Sequence, residues 1–374
     1  TTIDFYDARL DRINTRSLNN PNATIAGQTG ITVERLDYTY DEAGNPTSIK
    51  ETRNDAGGVI NNQCFTYDGL DRLTEAWATN ATCGNTPTAA AIGGPDPYWA
   101  SWTFDHASNR TTQTFHQLPG TSGGDTTTTY ANGVTGHAHA LASMTTSGPA
   151  TAATTGVKGL PTGATTYTYN AGGTTHSTTG PNGTTTFIYG PDGDLTTITT
   201  PQGDSSYVRD ADGNRLLRTT PTDTTLYLPG REVVRNNTTG AVTVTGYYTL
   251  NDGTLIATTT NNQTPDWTFS DHHGTGQLTL NTTGTTTTLT RRPLDPYGQA
   301  LSTNDNPQAW PTDHYFLNKP QDPNTNLIDI GARVYDAQTG RFTTPDPLLN
   351  TADPISTASY LYANNNPVAN SDPT

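Results

Sequence analysis

At 374 residues the chain has room for two or three ordinary domains, yet only 31% of it is hydrophobic and 14% charged, and Thr makes up roughly a fifth of it. The low charge content argues against a disordered solubilising tail. The net charge of −15 argues against nucleic acid as a partner, and no apolar run approaches the ~18 residues of a membrane-spanning helix.

Thr and the aromatics (18 Tyr, 8 Phe, 5 Trp) are strand formers, and the 36 Gly and 25 Pro are turn formers. Together they predict many short strands joined by many turns. One pattern then recurs along the chain. Its first copy is Tyr6-Asp7 followed by Asp11-Arg12-Ile13. Next come Tyr38-Thr39-Tyr40-Asp41 with Gly44-Asn45 and Ile49, and Phe65-Thr66-Tyr67-Asp68 with Asp71-Arg72-Leu73. Trp102-Thr103-Phe104-Asp105 precedes Ser108-Asn109-Arg110. A Thr/Gly/Ala-rich stretch from about 111 to 165 has few aromatics and reads as longer hairpins, surface loops or a flexible segment. The pattern resumes at Tyr167-Thr168-Tyr169-Asn170, at Phe187-Ile188-Tyr189, and at Tyr207-Val208-Arg209-Asp210 with Gly213-Asn214-Arg215-Leu216.

The chemistry of each copy predicts a β-hairpin. Aromatic-x-aromatic puts two rings on one face of a strand. The Asp ends the strand by accepting from backbone N–H groups ahead of it. The Gly or Asn that follows tolerates positive φ. Arg and Leu or Ile open the return strand, where Arg can stack on a ring. A unit this small cannot bury its own rings, so neighbouring units must stack into one sheet.

These units resemble the YD repeats of Rhs proteins, teneurins and Tc toxin shell subunits. The C-terminal third is similar to the Rhs-associated core. It carries Leu226-Tyr227-Leu228-Pro229-Gly230, Ser270-Asp271-His272-His273-Gly274, and Pro293-Leu294-Asp295-Pro296-Tyr297-Gly298. It continues with Gly331-Ala332-Arg333-Val334-Tyr335-Asp336, Gly340-Arg341-Phe342, Pro345-Asp346-Pro347, Tyr360-Leu361-Tyr362-Ala363-Asn364, and Asp372-Pro373. The resemblance implies an all-β fold of antiparallel hairpin repeats, coiled into a sheet or hollow shell with the core plugging its C-terminal end. It divides the chain into a YD-repeat sheet over 1–220 and a core region over 221–374. The family's Gly-Leu after the last Asp-Pro is missing, which reads as a piece of a longer protein.

The resemblance also implies single-turnover chemistry. Many Rhs proteins cut themselves after the core with two aspartates that share a proton. The matching residues are Asp346 and Asp372, with Arg341 as the orienting cation. The Asp346-Pro347-Leu348-Leu349 element lacks the family's Gly at its fourth position, and the aspartates stand further apart in sequence than the pattern leads us to expect. The competing reading is that both carboxylates cap turns ahead of prolines.

Cys64 and Cys83 flank one strand-turn-strand unit and are expected to form a disulfide, the alternative being two buried thiols, according to compartment. No metal or cofactor is expected. His272-His273 and His137-Ala138-His139 lack metal-site spacing, and the run from Asp210 to Asn214 lacks the Glu that closes a calcium loop. The expected function is a secreted or cell-surface bacterial β-shell that encloses or presents its own C-terminal effector. The alternatives are a cargo-free adhesin or fibre-forming module that contacts neighbouring copies, and a self-cleaving aspartic core.

Overall fold

The computed structural model describes the chain apart from residues 1, 8–11, 20–23, 26–27, 30–31, 55–56, 85, 150, 161, 212, 252, 284–285, 302–309, 349–357 and 373–374. The side chains of residues 2–32, 152–153, 282–283 and 286–287 are also undescribed. Asp11, Asp212, Leu349 and Pro373 of the motifs above therefore lie outside the described residues.

The chain is nearly all β. A 23-stranded antiparallel sheet runs from Thr2–Asp7 to Thr286–Arg291. Each strand pairs with the next in sequence, apart from a two-stranded ribbon at Thr24–Ile25 and Gln28–Thr29. The sheet passes without a break through residue 220: Arg215–Thr219 pairs with Asp223–Leu228. The stretch from 111 to 165 holds the pair Thr126–Val134 and His137–Ser147, so its Thr-rich composition builds wall.

The repeat has a common turn. Asp41 accepts from the N–H groups of Gly44 and Asn45 at 2.7 and 2.8 Å through Oδ1. Asp68 accepts from Leu70 and Arg72, and Asp105 from Ala107 and Asn109, in the same way. The register slips just before the turn, between Thr39 and Tyr40, Thr66 and Tyr67, Thr168 and Tyr169, and Ile188 and Tyr189. Such a bulge adds local twist and bends the strand; repeated hairpin after hairpin, it contributes to the curl of the wall. Alternation does the rest. Phe187 and Tyr207 face inward, whereas Ile188 and Val208 between the paired positions are about half exposed. Arg215 stacks on Tyr207, as the hairpin chemistry predicts, and Arg72 reaches across to Phe104 of the following unit.

The described residues from about 292 onward leave the sheet and pack against its inward face. One hydrophobic cluster joins Phe65, Leu73, Trp102 and Phe115 of the wall to Tyr297, Phe316, Ile328, Tyr335, Phe342 and Tyr362 of this inner segment. The segment is tied to widely spaced parts of the wall. Asn366 donates to Asn45, Asn365 to the Ser108 carbonyl, and Tyr360 to the Gly173 carbonyl. Tyr207 donates to Asp322, and Thr275 accepts from the Leu317 N–H. The wall also meets itself: Val33 packs on Leu278 and Leu280, and Arg291 pairs with Glu34 and Glu51. The result is a curled sheet with the inner segment packed against its inward face.

Candidate functional site

Within the inner segment, Ile328–Ile330, Arg333–Asp336 and Arg341–Phe342 form a small antiparallel sheet. Its register pairs Tyr335 with Phe342 and Asp336 with Arg341. Strand alternation therefore places Arg333, Tyr335 and Phe342 on one face, and Asp336 and Arg341 on the other. The Arg333 guanidinium lies 3.7 Å from the Phe342 ring centroid, which fixes its orientation.

The two aspartates meet on that guanidinium. Arg333 Nη1 is 3.1 Å from Asp346 Oδ2, and Arg333 Nη2 is 2.8 Å from Asp372 Oδ2. Arg333 is buried, while both carboxylates are about a quarter to a third exposed. Burial raises the Asp372 carboxyl above its ordinary value, the Asp346 charge raises it further, and Arg333 acts in the opposite direction. Asp346 also accepts from the Leu348 N–H at 2.8 Å, so it does cap its turn as well. Arg341 lies elsewhere. It binds Asn132 Oδ1 and the His139 carbonyl of the wall and sits over the Tyr360 ring. The cation that joins the carboxylates is thus Arg333, not the Arg341 expected from the sequence. Both arginines belong to the same motif, and only the strand alternation separates them.

Cys64 and Cys83 are joined in a disulfide, with Cα atoms 5.6 Å apart, beside Trp77 and Ile92. The histidine pairs have protein partners. His272 and His273 both contact the Val368 carbonyl through Nε2, and His139 Nδ1 bonds Asn109. The His–carboxylate group with metal-like proximity is one the sequence did not suggest: Glu232, Asp313 and His314 offer ligand atoms within 4.8 Å of one another. Its charges are already matched internally. His314 Nε2 is 2.7 Å from Glu232, Arg218 is 2.8 Å from Asp313, and Tyr247 donates to Glu232. The cluster is an ion-pair staple between wall and core.

The comparisons with known proteins bear on this geometry. The teneurin YD-shell family model matches residues 234–368. No curated protein matches the chain. The crystal structure of TcdB2-TccC3-Cdc42 matches it at 16% identity and a TM-score of 0.59, covering 100% of this chain and 20% of that one. The Photorhabdus luminescens Tc holotoxin pore with a TccC3 mutation gives the same figures. The TcdB2-TccC3 crystal structure is similar at 16% identity and 0.59, with 22% of that chain covered. The chain thus spans about a fifth of the length of the toxin chains it matches. At this identity the likeness establishes the shell fold.

Proposed function

We propose that the chain is an Rhs/YD-repeat β-shell protein, a reading supported by its fold and by the family-model match over residues 234–368, and that it encloses or presents a C-terminal effector and is cut from it by Asp346 and Asp372. The observation that supports this reading is the convergence of both carboxylates on one buried, ring-stacked Arg333. Asp372, with its raised carboxyl, is the proton donor, and Asp346 is the base. Asp346 takes a proton from water as the water oxygen attacks the scissile carbonyl carbon. The carbonyl oxygen takes the Asp372 proton. Collapse re-forms the carbonyl and breaks the C–N bond, with a proton passing from Asp346 to the departing amine and the hydroxyl proton returning to Asp372. Each molecule does this once. The setting is bacterial and extracellular, where the Cys64–Cys83 disulfide persists.

The test is a chain extended past Thr374, followed by gel analysis of processing and by protease protection of the downstream segment. Wild type is cut and Asp372→Asn is not; unchanged processing in that variant ends the proposal for the pair. Equal protease sensitivity of the downstream segment inside and outside the shell ends encapsulation.

A second reading, a cargo-free module that contacts neighbouring copies, is favoured by the wall's outer face. Ile188, Val208, Leu228, Val242, Tyr248 and Trp267 are all exposed there. A monodisperse monomer at high concentration in sedimentation velocity counts against it.

A further inference from the structure

A cavity of about 660 Å³ lies between the wall and the inner segment, and its lining includes Arg341, Asp336, Tyr169, Tyr360, Thr175 and Gln338. Arg341 is 5% exposed, and its hydrogen-bond partners are uncharged: the Asn132 side chain and the His139 carbonyl. Among the described residues no carboxylate forms an ion pair with it. A second buried arginine, Arg110, lies close enough to repel its charge. Arg110 bonds Gln113 and the Thr339 carbonyl and stacks on Tyr297; its Nε and Nη2 have no hydrogen-bond partner.

The one carboxylate in this neighbourhood that lines the cavity is Asp336. Its oxygens accept from the Gln338 N–H and the Thr339 hydroxyl, and the cation whose field acts on it is Arg110. Asp295, buried outside the cavity lining, also feels the Arg110 charge, so the nearby carboxylates act on Arg110 while Arg341 has no ion-pair partner among the described residues. A buried charge without a counter-ion is costly, and a guanidinium fork matches an oxyanion in shape and charge. Burial and the Arg341 charge push the His139 imidazole down, and the Asp105 charge acts in the opposite direction.

We propose that this cavity is a binding site for a small oxyanion, a phosphate or carboxylate group, held by Arg341. The Tyr169 and Tyr360 hydroxyls already donate to the Leu141 and Gly173 carbonyls, so the guanidinium is the principal donor. The site is independent of the aspartate pair, because Arg341 and Arg333 lie on opposite faces of the small sheet.

The test uses the 374-residue chain at pH 8. Unfolding midpoints and calorimetric titrations are measured with sodium phosphate, sodium acetate and sodium chloride at matched ionic strength. Phosphate or acetate is expected to bind saturably where chloride does not, and the anion that binds identifies the group. Arg341→Gln should weaken that binding by at least ~10-fold, the loss of one charge-assisted contact. Because this variant also loses wall contacts, Asp336→Asn provides the second arm. It keeps an acceptor for Thr339, removes the competing negative charge and should tighten binding several-fold. The proposal is overturned if neither oxyanion exceeds chloride, or if Asp336→Asn leaves the affinity unchanged.

Discussion

Asp329 offers a direct measure of how firmly the inner segment is held to the wall. Its carboxylate pairs with Arg209 at 3.1 Å and with Arg215 at 2.7 Å, and all three side chains are less than a tenth exposed. Asp329→Ala leaves two buried cations without their anion. Removing one partner of a buried pair typically costs about 3–5 kcal/mol. Arg209 keeps the Gly213 carbonyl and Arg215 keeps its stack on Tyr207, so the lower end, about 3 kcal/mol, is expected. Guanidinium unfolding, followed by the fluorescence of the 5 Trp, gives the number. Limited proteolysis should show residues 292–372 cut earlier than in wild type. Adding Arg215→Met to Asp329→Ala should cost less than Arg215→Met alone, with a coupling of about 1–3 kcal/mol. A loss below ~1 kcal/mol, typical of a solvated surface pair, would refute the reasoning that this ion cluster fastens core to wall.

Three further outcomes are expected. Burial and the facing Glu51 push the Glu34 carboxyl up to about 8 from an ordinary 4.5, so between those values the folded chain holds a proton that the unfolded chain has lost. That contribution to stability is full below pH 4.5 and is lost as the pH rises through about 8; unfolding midpoints across this window should show a fall that Glu34→Gln flattens. Arg333→Met removes the charge that opposes the rise at Asp372, so a carbon-13 NMR titration should find the Asp372 carboxyl moved further up; a downward move would contradict the assignment of Arg333 as the joining cation. Replacing Cys64 and Cys83 with Ala opens a link of sequence separation 19 and should cost about 3 kcal/mol by the chain-entropy relation, read from denaturant midpoints.

The hairpin turn was legible in sequence because it is local: Asp41, Asp68, Asp105 and Asp210 hold the N–H groups of residues close behind them. Asp271 and Asp295 make the same turn, accepting from His273 and Thr275 and from Tyr297 and Gln299. Their turns are harder to recognise in sequence, because Ser270 stands between Trp267-Thr268-Phe269 and Asp271, and Pro293-Leu294 rather than an aromatic pair precedes Asp295. Long-range pairs left no such trace. Period-2 patterning states which side chains face inward but not which of the many inward positions another part of the chain will meet. Arg209 and Arg215 show this limit, since their anion lies more than a hundred residues away at Asp329. The site arginine shows it at short range. Arg333 and Arg341 carry the same charge in the same motif, and their roles separate only once Tyr335 is paired with Phe342. That single register turns Arg333 toward the aspartates and Arg341 toward the wall; a one-residue slip of Arg341–Phe342 would carry Arg341 onto the face of Arg333 and remove the Phe342 ring from beneath the guanidinium that joins the carboxylates.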